Sequence, residues 1–338
     1  MKISEFDFNL PVALIAQRPL PNRDASRMLV IDDIGTKDDN FSNFINYLKE
    51  GDVVVFNNSR VMKCRFNAGE YEFTLHTKQN DFWWAFTKKF NKLKIGNKLK
   101  LIDGTEIIVR DKSDESGVLI EFLCENVFTI LEKVGKMPLP PYIKHDADSE
   151  DFERYQTIYA DLIGSMAAPT AGLHFTDKMI AEIEARAKIV NITLHVGAGT
   201  WMPIKIANIK DHKMHSEFGV ITKEQADIIN SATRVIAIGT TTLRLLETAA
   251  SGEKLVRPFN GTTDIFITPG YKFKIVDVLL TNFHLPKSTL FILVCAFAGI
   301  KMMKAAYQHA ILEKYRFFSY GDCCLIFKNK QLGAGLND

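Results

Sequence analysis

The sequence predicts an α/β protein: a mostly parallel-sheet α/β domain carrying an inserted small antiparallel β-barrel domain. Helical and strand patterns alternate from about Phe152 to the last strand, as in a sheet covered by helices. Residues 64–137 instead carry short segments rich in β-branched and aromatic residues, separated by turn signals. Pro138-Leu139-Pro140-Pro141-Tyr142 then forms a stiff return. Residues 1–63 and 138–338 are therefore one discontinuous α/β domain, and 64–137 the insertion.

The opening stretch Phe6–Arg27 is broken at Leu10-Pro11 and across Arg18-Pro19-Leu20-Pro21-Asn22-Arg23-Asp24. Its prolines favour extended or turned backbone. Arg18, Arg23, Asp24 and Arg27 form either local surface pairs of small energetic worth or an anion-binding group. Met28–Ile31 reads as a strand. Phe41, Phe44, Ile45 and Leu48 have helical spacing within Phe41–Glu50, and Gly51 supplies the stop. Asp52–Phe56 is a buried strand running into Asn57-Asn58-Ser59-Arg60, at the strand end where open α/β sheets place ligands.

Within the insertion, Tyr71–Thr77, Asp81–Thr87, Lys98–Leu101, Glu106–Arg110 and Val118–Leu123 read as strands, with Asp103-Gly104 as a hairpin turn. Phe82, Trp83, Trp84, Phe86 and Phe90 precede Lys88, Lys89, Lys92, Lys94, Lys98 and Lys100. Such a set either stacks and neutralises single-stranded nucleic acid or fills a barrel and guards its edges. Asn126–Val134 reads as a helix closing the insertion.

Beyond the return, Phe152–Ala160 reads as a helix, Thr176 and Asp177 cap Lys178–Ala187, and Ile189–Val196 is a strand. Thr222 and Gln225 form a capping box for a helix through Asn230. Arg234–Ile238 is a strand, Thr241–Ala250 a helix, and Asp264–Ile267 and Ile275–Leu280 strands. Lys287–Ala298 and Lys301–Lys314 read as helices and Cys323–Phe327 as the last strand.

With 338 residues, 46% hydrophobic and 24% charged, the chain has the composition of a globular protein with a large core. A net charge of +2 leaves nucleic acid as a partner only through a local basic surface. Met1–Asn9 has no secretory pattern, and the apolar run Ser288–Ile300 is too short for a bilayer, so no membrane is expected. Cys64, Cys124, Cys295, Cys323 and Cys324 show no CxxC spacing and read as reduced thiols of a cytoplasmic protein.

Several polar segments fall at strand ends. Ala167–Thr176 combines Pro169, Gly172 and His174 just before a helix start, a turn that either brings backbone close to a ligand or is only tightly packed. Gly197-Ala198-Gly199-Thr200-Trp201 lacks the third glycine of a dinucleotide fingerprint, since Met202 takes its place. His212, His215 and Glu217 lack zinc spacing, and no metal is expected. No Gly-x-Ser-x-Gly elbow or P-loop occurs, which disfavours serine hydrolases and common nucleotide-triphosphate enzymes. Gly239-Thr240-Thr241-Thr242-Leu243-Arg244 opens a helix suited to an anion or explained by capping alone. Thr281–Thr289 holds Asn282, His284 and Lys287, and Tyr315–Asp322 packs aromatics around Arg316 and Asp322.

In order along the chain, FDFNLPVALIAQRPLPNRDASRMLV, FNNSRV, AAPTAGLHFT, LHVGAGTW, MHSE, GTTTLRLLE, TNFHLPKSTL and YRFFSYGD resemble the segments of S-adenosylmethionine:tRNA ribosyltransferase-isomerases of queuosine biosynthesis. The resemblance runs from Phe6 to about Phe327, is thinnest over Asn67–Glu125, and departs at Leu162-Ile163. It implies an α/β domain with an inserted barrel. It also implies transfer and isomerisation of the ribosyl part of S-adenosylmethionine onto 7-aminomethyl-7-deazaguanine at a tRNA wobble position, giving epoxyqueuosine-tRNA, adenine and methionine. S-adenosylmethionine is then a consumed co-substrate, and no cofactor is expected.

That chemistry needs a base beside the sulfonium and a proton for the departing adenine. His174 or His284 is the expected base, with Asp322 or Glu217 assisting. Trp201 or Tyr320 would face the sulfonium. Arg60 and Arg244 are candidates for the methionine carboxylate, and Gly197, Gly199 and Thr200 for close backbone contact. Thr170, Gly172, Asn282, Lys287 and Arg316 complete the expected binding set. The rival readings are a non-catalytic tRNA-binding protein of the same fold and a metal-assisted nucleoside enzyme.

Overall fold

Asp52–Asn57 contains the run Val-Val-Val-Phe and is buried at every position. Apolar side chains on both faces require cover on both sides, which places this strand at the centre of a sheet. The computed structural model describes residues 1–114, 116–197 and 206–329. Its main sheet has nine strands, in the order Phe259–Thr263, Glu217–Ile221, Lys188–Leu194, Asp52–Asn57, Arg234–Ile238, Val278–Asn282, Cys323–Phe327, Arg27–Ile31 and Thr36–Asn40.

The expectation of a mostly parallel sheet is corrected. The four strands from Lys188–Leu194 to Val278–Asn282 are parallel neighbours, and Arg27–Ile31 runs parallel to Cys323–Phe327. The remaining four neighbour pairs are antiparallel, so the sheet is mixed. The added strands were hard to see. Thr36–Asn40 is TKDDN and mostly exposed, and Phe259–Thr263 is FNGTT, so neither shows a hydrophobic alternation.

Other boundaries moved for local reasons. The helix expected at Phe152–Ala160 is Ser149–Arg154, because Asp148 accepts from Glu150 and Asp151 N–H groups and starts it earlier. Phe41–Tyr47 is a 3₁₀ helix. No strand forms at Asp264–Ile267, and the later one begins at Val278.

One face of the sheet is covered by the helices Thr240–Thr248, Thr289–Ala298 and Ile300–Leu312, whose apolar residues join a single core. The other is covered by Phe41–Tyr47 and Asp177–Glu184, through Phe41, Phe44, Phe175, Met179 and Ile183. Among the described residues no single helix is long and apolar enough to cross a membrane. Thr289–Ala298 is buried at every position but Leu290, as expected of a core helix.

The insertion is a six-stranded antiparallel sheet in the order Arg65–Ala68, Tyr71–Gln79, Phe82–Phe86, Gly117–Phe122, Glu106–Ser113 and Lys98–Lys100. A bridge between Ala68 and Leu101, with Gly69 N–H donating to the Lys100 carbonyl at 3.0 Å, nearly closes it into a barrel. It has its own core, which includes Phe66, Phe73, Trp83, Val109 and Ile120. Trp83 therefore fills the barrel, whereas Trp84 lies on the outer side and donates from Nε1 to Gln79. Lys89 pairs with Glu70 at 2.6 Å.

Gly117 has φ +78°, and a Cβ there would strike the Ala85 carbonyl oxygen of the neighbouring strand. G117A is expected to destabilise the barrel by about 1–3 kcal/mol. Denaturant unfolding followed by tryptophan emission checks this, and an unchanged midpoint would show that the strands separate freely there.

Candidate active site

The central strand ends at Asn57, whose buried side chain makes four hydrogen bonds. Oδ1 accepts from Ser59 N–H and Leu194 N–H, both at 3.1 Å. Nδ2 donates to the Leu194 carbonyl at 2.9 Å and to Thr241 Oγ1 at 3.5 Å. One amide thus joins two strand ends and a helix start. Gly239 makes the adjoining strand-to-helix turn at φ +94°, in the left-handed region that favours glycine. A Cβ on Gly239 would stand 3.7 Å from Ala171, so that segment is brought alongside the turn.

Ala167–Thr176 runs through Pro169 into a 3₁₀ turn, Thr170–His174, and then into the helix capped by Thr176. Gly172 is not in the left-handed region. A Cβ there would collide with the Tyr159 hydroxyl and stand 2.7 Å from Thr157 Cγ2. The glycine is thus required by packing against Thr157 and Tyr159, and it does not line the cleft described next.

That cleft encloses about 680 Å³ counted to its open mouth. Ala167–Ala171, Gly239–Thr241 and Thr281–Leu285 form its walls, with Tyr142, Phe318 and Ser319 across from them. Two walls follow the C-terminal ends of parallel strands, the position where α/β sheets hold ligands. The rings of Tyr142 and Phe318 lie with centroids 4.3 Å apart, and Tyr142 OH is 2.5 Å from Ser319 Oγ.

His284 is buried, with ring Nε2 3.1 Å from Thr281 Oγ1 and its backbone N–H donating to Tyr307 OH at 3.0 Å. Burial lowers its pKa to about 3. Asn282 donates to the Phe318 carbonyl at 3.0 Å, while its buried Oδ1 has no hydrogen-bond partner. His174 has Nδ1 2.7 Å from Ser26 Oγ and lines an adjoining cleft that shares Ser319 with the first. Burial lowers the His174 pKa to about 4, against the influence of nearby Asn282 and with that of Arg316 and Arg23.

The structure brings Thr170, Asn282 and His284 into the main cleft, and His174 and Tyr320 into the adjoining one. It does not bring the remaining described members of the expected set there. Glu217 is ion-paired with Arg244 in the interior, and its Oε1 accepts from Gly197 N–H at 2.9 Å. That arrangement occupies the carboxylate, so Glu217 is not presented with His212 and His215 as a metal group. Asp322 accepts from Arg27 N–H at 2.9 Å and Arg316 N–H at 2.8 Å, which makes it a backbone staple; burial raises its pKa. Arg316 donates to the Arg18 carbonyl. Lys287 pairs with Asp7 at 2.6 Å on the surface, and Arg60 is exposed on the strand Ser59–Val61. Gly199, Thr200 and Trp201 lie outside the described residues.

Sequence reasoning passed over Tyr142 and Ser26. Tyr142 stood beside a proline linker, and Ser26 carried no pattern of its own. Their roles arise from contacts more than 100 residues apart, such as Tyr142 with Ser319 and Ser26 with His174.

The sequence model of the family described as "Queuosine biosynthesis protein" matches residues 3–326. Among curated relatives, the S-adenosylmethionine:tRNA ribosyltransferase-isomerase of Rickettsia bellii is 48% identical, aligned over 97% of this chain and 99% of its own length. That of Parvibaculum lavamentivorans is 47% identical over 97% and 99%. The crystal structure of S-adenosylmethionine tRNA ribosyltransferase from Thermotoga maritima is similar with a TM-score of 0.55 and 31% identity, covering 96% of this chain and all of that one.

The two buried histidines impose a pH dependence on stability. An unfolded histidine titrates near pH 6.5, whereas these titrate at about 4 and about 3 when folded. Below pH 6.5 the unfolded chain binds protons that the native state refuses, so stability falls as pH drops toward 4. H284N is expected to remove about 2 kcal/mol of the loss between pH 7 and pH 5. Urea unfolding at the two pH values measures it, and parallel curves for variant and parent would refute the buried neutral ring.

Proposed function

The chain belongs to the S-adenosylmethionine:tRNA ribosyltransferase-isomerase family of queuosine biosynthesis, and from that membership we propose how its main cleft carries out the transfer. The protein is a transferase of tRNA modification. The acceptor is 7-aminomethyl-7-deazaguanine at the wobble position, and the products are epoxyqueuosine-tRNA, adenine and methionine. S-adenosylmethionine is consumed, and the reaction takes place in the cytoplasm. The observation carrying the assignment is the convergence of AAPTA, GTT and TNFHL, all segments of the family resemblance, on one cleft.

His284 is the proton acceptor. Its ring lines the cleft, is neutral at pH 7 and is held by Thr281, while its backbone N–H is anchored on Tyr307 OH. Burial weakens the ring as a base and makes its protonated form a stronger acid toward the departing adenine. The sulfonium lies against Tyr142 and Phe318, whose rings attract a cation. The first amides of the helix Thr240–Thr248 take the methionine carboxylate at the positive end of the helix. Arg244 is already neutralised by Glu217 and serves to hold the sheet edge. The unpartnered Oδ1 of Asn282 accepts a hydrogen bond from the attacking amine.

Buried Cys64, Cys295, Cys323 and Cys324 are unpaired, in keeping with a reducing compartment. The rival scaffold reading needs neither the neutral histidine nor the open cleft.

Incubation with S-adenosylmethionine and tRNA carrying the aminomethyl base is expected to release adenine stoichiometrically with ribosyl transfer. Absence of adenine would leave only a tRNA-binding scaffold. H284A is expected to lower turnover by about 10²–10⁴-fold with S-adenosylmethionine affinity within about twofold. Normal turnover in that variant would remove His284 from the chemistry.

A further inference from the structure

The Leu173–His174 end of the same segment lines the second cleft, about 310 Å³ to its mouth, together with Arg23 and Arg154. Arg23 donates to the Leu173 carbonyl at 3.2 Å and to the Glu153 carbonyl at 3.0 Å. Arg154 donates to the Pro21 carbonyl at 3.1 Å and to the Leu20 carbonyl at 2.7 Å. Carbonyls orient a guanidinium without cancelling its charge. Among the described residues neither arginine makes an ion pair with a carboxylate. Burial and then repulsion from Arg154 lower the pKa of Arg23, while Glu153, Tyr159 and Asp177 act on it only at longer range. Two partly buried positive charges side by side are costly unless an anion joins them.

Further donor capacity points to the same occupant. Arg154 Nε is buried without a hydrogen-bond partner, and the His174 ring beside it, only 5% exposed, has Asn282 as its neighbouring acceptor. The rim at Pro19, Leu20 and Asn22 opens at the surface, and Ser319 is common to both clefts.

We propose that the second cleft is a phosphate subsite, in which Arg23 and Arg154 hold a phosphodiester of the RNA substrate while its base enters the main cleft. The assignment rests on the protein acting on tRNA. A nucleotide carries base and phosphate as one unit, which suits two adjoining clefts with one shared wall. Two forked guanidiniums match the oxygens of a phosphate. S-adenosylmethionine has no phosphate, and its single carboxylate is accommodated by the helix start in the first cleft. The arginine-rich opening segment thereby gains a function that local pairing does not explain, since Arg23 has no such pair.

The test is equilibrium binding of the full chain to substrate tRNA across a potassium chloride series, alongside calorimetric binding of S-adenosylmethionine. R23Q and R154Q are each expected to weaken tRNA about tenfold at low salt and to reduce the log–log salt slope by about 0.7–1. S-adenosylmethionine affinity stays within about twofold. R154K keeps the charge and is expected to keep the parent slope. Weakened S-adenosylmethionine with an unchanged tRNA slope would instead assign the cleft to the methionine carboxylate and overturn the proposal. Unchanged slopes with a lowered melting temperature would make the arginines purely structural, and also overturn it. Because binding is read without turnover, reduced slopes in a protein that releases no adenine would support the subsite while the reaction assignment failed.

Discussion

The Asn57 side chain is the interaction on which the site depends. A parallel sheet leaves polar groups open at its carboxyl edge, and Asn57 satisfies them for two neighbouring strands while reaching Thr241 at the start of a helix. A buried amide with all four bonds made is rigid, because breaking any one strands a polar group away from water. The loops beyond it inherit that rigidity. The first cleft is consequently a shape set by strand ends, with flexible side chains playing a minor part.

Around that frame, charge is handled in two ways. Glu217 and Arg244 cancel each other inside the sheet edge, and Asp322 spends both oxygens on backbone N–H groups. These groups stabilise the walls. Arg23 and Arg154 lack that compensation, and the two histidines are kept neutral by burial. Charge cancelled by a neighbouring group thus holds the walls, while the guanidiniums without a carboxylate partner, Arg23 and Arg154, line the second cleft.

The antiparallel additions serve the same frame. Glu217–Ile221 and Phe259–Thr263 extend one edge and bring Glu217 to Arg244, and Thr36–Asn40 covers the other. The barrel carries a separate core and joins the body near Arg65 and Lys136, where two backbone bonds link its ends. Met166, directly before the cleft wall at Ala167, packs into the barrel core and ties the two units together.

By itself the sequence determined the elements whose signals are local. The buried central strand, the Thr222 and Thr176 caps, the inserted barrel and the motif segments were all legible, because propensity, capping and alternation act within about ten residues. His174, His284 and Asn282 also stand out in the sequence, since each lies in a short segment too polar for its apolar surroundings. Tertiary structure alone decided which polar residues face a cavity. Glu217, Arg244, Asp322, Lys287 and Gly172 look as functional in sequence as His284, yet contacts made in the folded chain occupy them. It also decided strand direction at the sheet edges, where exposed strands such as Thr36–Asn40 carry no hydrophobic pattern to read. The reason is the same in both cases: a side chain's chemistry is written in its sequence, but whether its hydrogen bonds and charge are already spent depends on partners that only folding brings together.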